Sequence, residues 1–180
     1  MYIKDNQLRM FGVRVRFHWS VLLIAVACAV VALDEPSSAL SAISAMCSYF
    51  AILVIHELGH AFVARYFEYD VYEIRIAVFI GQCVYEAPRN ELHDAVIAWG
   101  GVAAQLRVAT IVMLLALIPG IDEVPGLGPV IAFLGYLNVI FALFNLAPTP
   151  PLDGAKAWRV FPLLLQKRKR DKRMSKFRRW

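Results

Sequence analysis

The sequence predicts an all-α polytopic membrane protein with about four transmembrane helices, a small β-hairpin between spans two and three, and a Pro-rich loop after span four. Three observations lead to this prediction. The 180-residue chain is 59% hydrophobic, whereas soluble domains are roughly half apolar. Its apolar residues form four long runs, and roughly 20 such residues cross a bilayer. The Lys and Arg residues between these runs also alternate as they do in a multi-pass protein.

The four apolar runs define the predicted spans, at residues 17–33, 39–67, 92–118 and 130–146. Between spans two and three, residues 70–86 are rich in β-branched and aromatic types in imperfect alternation, which predicts a hairpin at the membrane surface with a turn at residues 81–82. Its edge at residues 71–78 could pair with an extended peptide. After span four, three prolines exclude a regular helix and predict a rigid loop.

The basic residues predict the orientation and the division of the chain. Four Lys or Arg precede span one and three lie in residues 65–91, whereas the loops 34–38 and 119–129 contain none. The positive-inside rule then places both termini, and the C-terminal end of span two, on the cytoplasmic side of a cell membrane. Residues 167–179 hold nine basic residues and one acid. We therefore divide the chain into a membrane-embedded domain, 1–166, and a basic cytoplasmic tail, 167–180, that contacts anionic lipid rather than nucleic acid.

The second span carries the motif H-E-x-x-H at His56, Glu57 and His60. In a helix, residues four apart lie on one face, so the two histidines can bind one Zn²⁺ per chain. Glu57 follows on the helix and suits a general base acting on a zinc-bound water. The alternative is a chance motif whose histidines only pack or form hydrogen bonds. Three ionisable side chains within an apolar span favour the functional interpretation.

A catalytic zinc needs a third protein ligand and an open position for water. The predicted orientation places the motif and Asp153 at the same membrane depth, so Asp153 is the best carboxylate candidate, ahead of Glu86 and Glu91. Arg107 is unusual because it places a charge inside span three. It is expected to face the helix bundle or to extend to the membrane interface, and its partner is not evident.

These motifs resemble those of the site-2 protease family of intramembrane zinc metalloproteases. The resemblance rests on H-E-x-x-H within a span and on Asn145-x-x-Pro148 followed by Asp153-Gly154, and it covers the chain from Phe11 to about Leu165. It implies that His56, His60 and Asp153 bind zinc and that Glu57 is catalytic. It also implies cleavage within a transmembrane segment of another membrane protein, typically in a signalling or stress-response cascade.

The same resemblance implies roles for two carboxamides. Asn145 matches a loop asparagine of the family that contacts the substrate backbone or supports the oxyanion. Many members carry G-P-x-x-N in the third core span, where this chain has Gly100-Gly101 and, later, Gln105, so Gln105 is the candidate replacement for that asparagine. The chain is expected to be a compact member without a PDZ or CBS domain.

The competing interpretation is a non-catalytic zinc-binding membrane scaffold or a transporter. A transporter needs a polar route through both leaflets, but residues 21–33 and 112–118 contain no charge. Glu57 is dispensable for zinc binding alone, so its presence favours the protease.

Overall fold

The structure is a computed structural model that describes residues 8–34, 39–78, 80–121 and 123–177. Its strands and helices are β1 (Leu8–Met10), β2 (Val13–Phe17), α1 (Val21–Asp34), α2 (Ala39–Tyr66), β3 (Val71–Ile76), β4 (Gly81–Tyr85), α3 (Glu91–Leu115), α4 (Leu127–Val130), a π-helical stretch (Ile131–Leu137), α5 (Asn138–Asn145), α6 (Gly154–Ala157) and α7 (Val160–Phe177). The last residues of the predicted tail, 178–180, lie outside the described residues.

Three helical segments of the described chain are long and apolar enough to cross a membrane. They are α2, α3 and the continuous segment Leu127–Asn145, which comprises α4, the π-helical stretch and α5. The first predicted span corresponds to α1, which has only 14 residues, fewer than the roughly 20 required. The predicted count of four spans is therefore not confirmed. Residue 17 of that apolar run belongs to a strand, which shortens the helix.

A four-stranded sheet accompanies the helices, so the all-α class is wrong in this respect. The strands lie in the order β1-β2-β3-β4, with β2 parallel to β3 and the other pairs antiparallel. In β2, Val13 and Val15 are buried while Arg14 and Arg16 are exposed. This alternation is the signal of a half-buried strand, and it is missed when the segment is interpreted as a polar arm.

The sheet lies against α2 and leaves one strand edge beside the helices. Its buried side chains pack with residues of α2 in one cluster: Val13, Val15, Ile74, Ile76, Leu53 and Ala61. Because β3 is paired on both sides, the free edge next to it belongs to β4 rather than to residues 71–78. The turn precedes Gly81, the first residue of β4, so the predicted turn at residues 81–82 is also wrong.

Helices α2 and α3 approach each other most closely at two glycines. A Cβ atom added to Gly100 would lie 2.6 Å from the carbonyl oxygen of Gly59, and one added to Gly59 would lie 2.8 Å from Cβ of Ala104. Small residues allow transmembrane helix backbones to approach in this way. The contact places α3 directly behind the H-E-x-x-H motif.

The segment after Asp153 packs against α3 and against the end of α5. Gly154 packs against the backbone of Leu146 and Ala147, where a side chain would not fit. Two ion pairs and two indole hydrogen bonds add to this contact: Lys156–Asp94 at 3.1 Å, Arg159–Glu91 at 2.8 Å, Trp99 Nε1 to the Ala157 oxygen at 2.9 Å, and Trp158 Nε1 to the Leu146 oxygen at 2.7 Å. These contacts fix the position of the loop that carries Asp153.

Helix α7 continues from the apolar segment into the basic tail. It spans Val160–Phe177, so the predicted boundary between residues 166 and 167 falls within one helix. The division into two domains, the contact with anionic lipid and the lack of nucleic-acid binding stay predictions.

Candidate metal centre

The structure brings the three predicted zinc ligands together. His56 and His60 lie one turn apart on α2, and Asp153 lies on the loop before α6. Asp153 Oδ2 is 2.8 Å from His56 Nε2 and 3.1 Å from His60 Nε2, and the two Nε2 atoms are 3.0 Å apart. Among the described residues, these three form the group of His, Cys, Asp or Glu side chains able to hold a metal ion.

The outer nitrogen of each histidine is held by an oxygen atom of α3. His56 Nδ1 lies 2.9 Å from Gln105 Oε1, and His60 Nδ1 lies 2.8 Å from the Ile97 carbonyl oxygen. Both oxygens can only accept a hydrogen bond, so each Nδ1 carries the proton and each Nε2 presents a lone pair to the centre. Histidines that bind metals are oriented in this manner, with the second nitrogen donating to an oxygen.

The donor set fits a zinc ion. Two nitrogen lone pairs and a carboxylate oxygen within 3.1 Å of one another would repel unless a metal ion or a proton lies between them. Two ligands of a tetrahedral zinc with bonds of about 2.0–2.1 Å are about 3.3 Å apart, close to the separations observed. Two imidazoles and one carboxylate also form the ligand set of known catalytic zinc sites.

Glu57 lies beside this triad without belonging to it. Its side chain is 5% exposed and lies against Gly81 of β4, where an added Cβ would be 2.7 Å from Glu57 Cγ. Burial and the nearby Glu57 carboxylate raise the pKa of the neighbouring Cys83 thiol to about 12. The carboxylate is therefore confined between α2 and the backbone of β4.

Gly101 provides the space that the two imidazoles occupy. A Cβ atom at this position would lie 2.7 Å from both His56 Cε1 and His60 Nε2. The sequence shows two adjacent glycines in an apolar span, which indicates close helix packing. It does not indicate that the second glycine faces the metal ligands, and that role is found only from the structure.

A cavity of about 840 Å³ opens beside the triad, between α2, β4, the end of α5 and the Pro-rich loop. Asn145 lines this cavity, as its predicted contact with substrate requires. Gln105 also borders it, but its Oε1 atom is directed at His56. Gln105 therefore orients His56, one of the predicted zinc ligands. Its predicted role toward the substrate or the oxyanion, like that of Asn145, stays a prediction.

Asn138 supports Gln105 from the neighbouring helix. Its side chain is fully buried, and its Nδ2 atom donates to the carbonyl oxygens of Gln105 at 3.0 Å and Leu134 at 3.2 Å. Its Oδ1 atom has no hydrogen-bond partner among the described residues. Asn138 directly follows the π-helical stretch Ile131–Leu137, and such irregular turns occur frequently at functional sites. The amide thus links α5 to the part of α3 that holds His56.

Comparison with solved structures identifies the fold. The chain superposes on the site-2 protease from Methanocaldococcus jannaschii with a TM-score of 0.68, over 89% of this chain and 70% of that chain, at 19% sequence identity. The chain has the fold of a site-2 protease. With its three long apolar helices, it is an integral membrane protein. No model of a protein family matches the sequence.

Two curated relatives match parts of the sequence. A Synechocystis sp. protein named "Putative zinc metalloprotease" is 38% identical over 109 residues, which is 58% of this chain and 27% of the relative. An uncharacterized protein of Methanocaldococcus jannaschii is 53% identical over 34 residues, 19% of this chain and 9% of the relative. The chain thus spans about a quarter of the first relative and a tenth of the second.

Two glycine substitutions should separate zinc binding from the position of Glu57. We expect Gly101→Ala to reduce the zinc content of the purified protein from about one ion per chain to a small fraction, because the new Cβ displaces both imidazoles. Gly81→Ala should keep its zinc, because the three atoms nearest to the new Cβ all belong to Glu57. The measurement is elemental analysis of detergent-purified protein, with Gly128→Ala as the control since nothing lies within 4 Å of that position. Full zinc in Gly101→Ala would contradict the described arrangement.

Replacement of Gln105 should test whether it acts through His56. In Gln105→Leu the His56 Nδ1–H loses its acceptor, and zinc affinity should fall about 10- to 100-fold. The affinity can be measured by competition with a chromophoric chelator, and Thr110→Val, on the exposed face of the same helix, should leave it unchanged. If Gln105→Leu kept its zinc affinity and lost only peptide cleavage, the role toward the substrate would be favoured instead.

Proposed function

We propose that the protein is an intramembrane zinc metalloprotease that hydrolyses a peptide bond within or near a transmembrane segment of another membrane protein. The observation that carries the proposal is the buried Glu57 carboxylate beside a two-histidine, one-aspartate ligand set. A site that only stored or transported zinc would have no use for an ionisable group that does not bind the metal. The fold and the name of the Synechocystis relative support the same function.

The described residues fit the chemistry of peptide hydrolysis. Zn²⁺, held by His56, His60 and Asp153, would polarise the peptide carbonyl and lower the pKa of the attacking water. Glu57 would take the proton from that water and later deliver it to the leaving nitrogen. The enclosure of Glu57 by Gly81 keeps the carboxylate in place for both transfers. Gln105 and the Ile97 carbonyl keep the two histidines in the tautomer that binds metal.

The free edge of β4 supports binding of the substrate as an extended strand. The Ala77 N–H donates to the Ile80 oxygen at 2.9 Å, so alternate residues of β4 pair with β3 and the others point away from it. By this alternation, the backbone groups of Gly81 and Cys83 face the cavity that contains the metal centre. A scissile segment must leave the helical state because its carbonyl is otherwise hydrogen-bonded. Pairing with β4 would stabilise the unwound segment.

We also propose a cellular setting for this reaction. Cleavage of a membrane anchor releases the attached soluble domain, which suits regulated intramembrane proteolysis in a signalling cascade. The predicted orientation, with the site and both termini in the cytoplasm, would release such a domain into the cytoplasm. The identity of the cell membrane and this orientation stay predictions.

Two substitutions test the proposed function. We expect wild type and Glu57→Gln to retain about one zinc per chain and Asp153→Ala to lose most of it. Only the wild type should cleave a single-span reporter protein with a helix-breaking Asn-Gly pair in its span, co-reconstituted in liposomes. Cleavage is followed by mass spectrometry, and 1,10-phenanthroline should abolish it.

Two outcomes would contradict the proposal. Wild type that binds zinc but cleaves none of a panel of such reporters, with the helix-breaking pair placed at different depths, would favour the zinc-binding scaffold. Cleavage that persists in Glu57→Gln would remove Glu57 from the chemistry and require another base.

The strand-pairing step can be tested from the substrate side. Synthetic peptides are made with the sequence of a cleaved reporter, and each peptide has one backbone N-methyl group near the scissile bond. Because alternate residues of a paired strand direct their N–H groups to the partner, methylation should raise KM at every second position. A uniform effect along the peptide, or none, would argue against pairing with β4.

A further inference from the structure

Arg107 is a charged residue of α3 that takes no part in the metal centre. It lies within α3, and its side chain is exposed on the outer surface of the helix. It forms no ion pair or hydrogen bond with any residue in the described part of the chain. Of its exposed neighbours at helical spacing, Ile111 and Leu114 are apolar and Thr110 is polar. The predicted position facing the helix bundle is therefore wrong.

The position of Arg107 along the helix places it within the apolar layer. Eight residues separate it from Leu115 at the end of α3, a rise of about 12 Å. The exposed side chains of Leu117 and Ile118 extend the apolar surface further in that direction. Toward the other end, Glu91 lies sixteen residues or about 24 Å away. An arginine side chain is shorter than either distance, so the guanidinium does not reach either end of α3.

The exposed face lies on the opposite side of α3 from the metal centre. Gln105 is 1% exposed and contacts His56, and two residues along a helix correspond to a rotation of about 200°. A molecule bound at Arg107 therefore does not occupy the cavity beside the zinc ligands. This face is separate from the surface that would hold the scissile segment.

We propose that the Arg107 face of α3, formed by Arg107, Ile111 and Leu114, binds a transmembrane helix of another membrane protein that carries a carboxylate at the same depth. Charged side chains inside membranes are normally paired with an opposite charge. The two apolar neighbours would pack against the helix, and the guanidinium would form a bidentate ion pair with its carboxylate.

A second copy of this chain does not supply the required carboxylate. The acidic residues of the three described spans are Glu57, which is buried at the metal centre, and Glu91 and Asp94, which form ion pairs at the first turn of α3. None lies on an exposed face at the depth of Arg107. Two copies meeting through this face would instead bring two arginines together, which favours a different protein as the partner.

The test uses model helices of known sequence. Fluorescently labelled Leu-Ala transmembrane peptides, with Glu, Gln or Leu at the depth of Arg107, are co-reconstituted with the labelled protein in phosphatidylcholine liposomes. Association is measured by energy transfer. We expect the Glu peptide to bind wild type about fivefold more tightly than the Leu peptide. This preference should disappear in Arg107→Leu, persist in part in Arg107→Lys, and remain intact in Ile140→Leu on the exposed face of α5.

Three results would overturn the inference. One is equal binding of the Glu and Leu peptides, and another is a Glu preference that survives in Arg107→Leu. The third is loss of the preference when phosphatidylglycerol replaces part of the lipid, which would identify an anionic lipid headgroup as the partner. The experiment is repeated with Glu57→Gln, which does not alter this face. The outcome therefore does not depend on whether the protein is a protease.

Discussion

The close approach of α2 and α3 at Gly59 and Gly100 is the contact on which the metal centre depends. The oxygen atoms that hold the two histidines, on Ile97 and Gln105, both belong to α3 and lie within five residues of Gly100. A larger residue at either glycine would separate the helices and move these acceptors beyond hydrogen-bond distance. The contact between Gly59 and Gly100 therefore determines both how the two spans pack and which nitrogen of His56 and His60 carries the proton.

On the other side of α2, the sheet positions the side chain of Glu57. Gly81 of β4 lies against Glu57, whereas Gly101 of α3 lies against the histidines. Helix α2 thus carries both Glu57 and the two histidines. Strand β4 positions Glu57, and helix α3 positions the histidines. Metal binding depends on a helix–helix contact, and the proposed proton transfer depends on a strand–helix contact. These two properties can for this reason be altered separately by substitution, although Glu57 is adjacent to His56 in the chain.

The metal-binding side chains could be predicted from the sequence. The contributions of backbone atoms to the site could not. His56 and His60 follow from helical periodicity, and Asp153 follows from membrane depth and the distribution of charge. The Ile97 carbonyl and the space at Gly81 and Gly101 involve no functional side chain, so no residue type indicates them. The strand β2 was missed for a different reason. Its partner β3 lies far along the chain, with Val15 opposite Ile74, and its last residue merges with the apolar run of α1.

Five buried polar side chains of the spans surround the metal centre, and Arg107 is a charge outside this group. His56, Glu57, His60, Gln105 and Asn138 are all buried, and each contacts another member of the group or the elements that enclose it. Arg107 was expected to face the helix bundle with them or to extend to the membrane interface, because a charge at this depth is costly. Helix geometry prevents the first of these, since Gln105 already faces the metal centre and a residue two positions later must face away. The same rotation that directs Gln105 toward His56 directs Arg107 outward, where no described residue neutralises it.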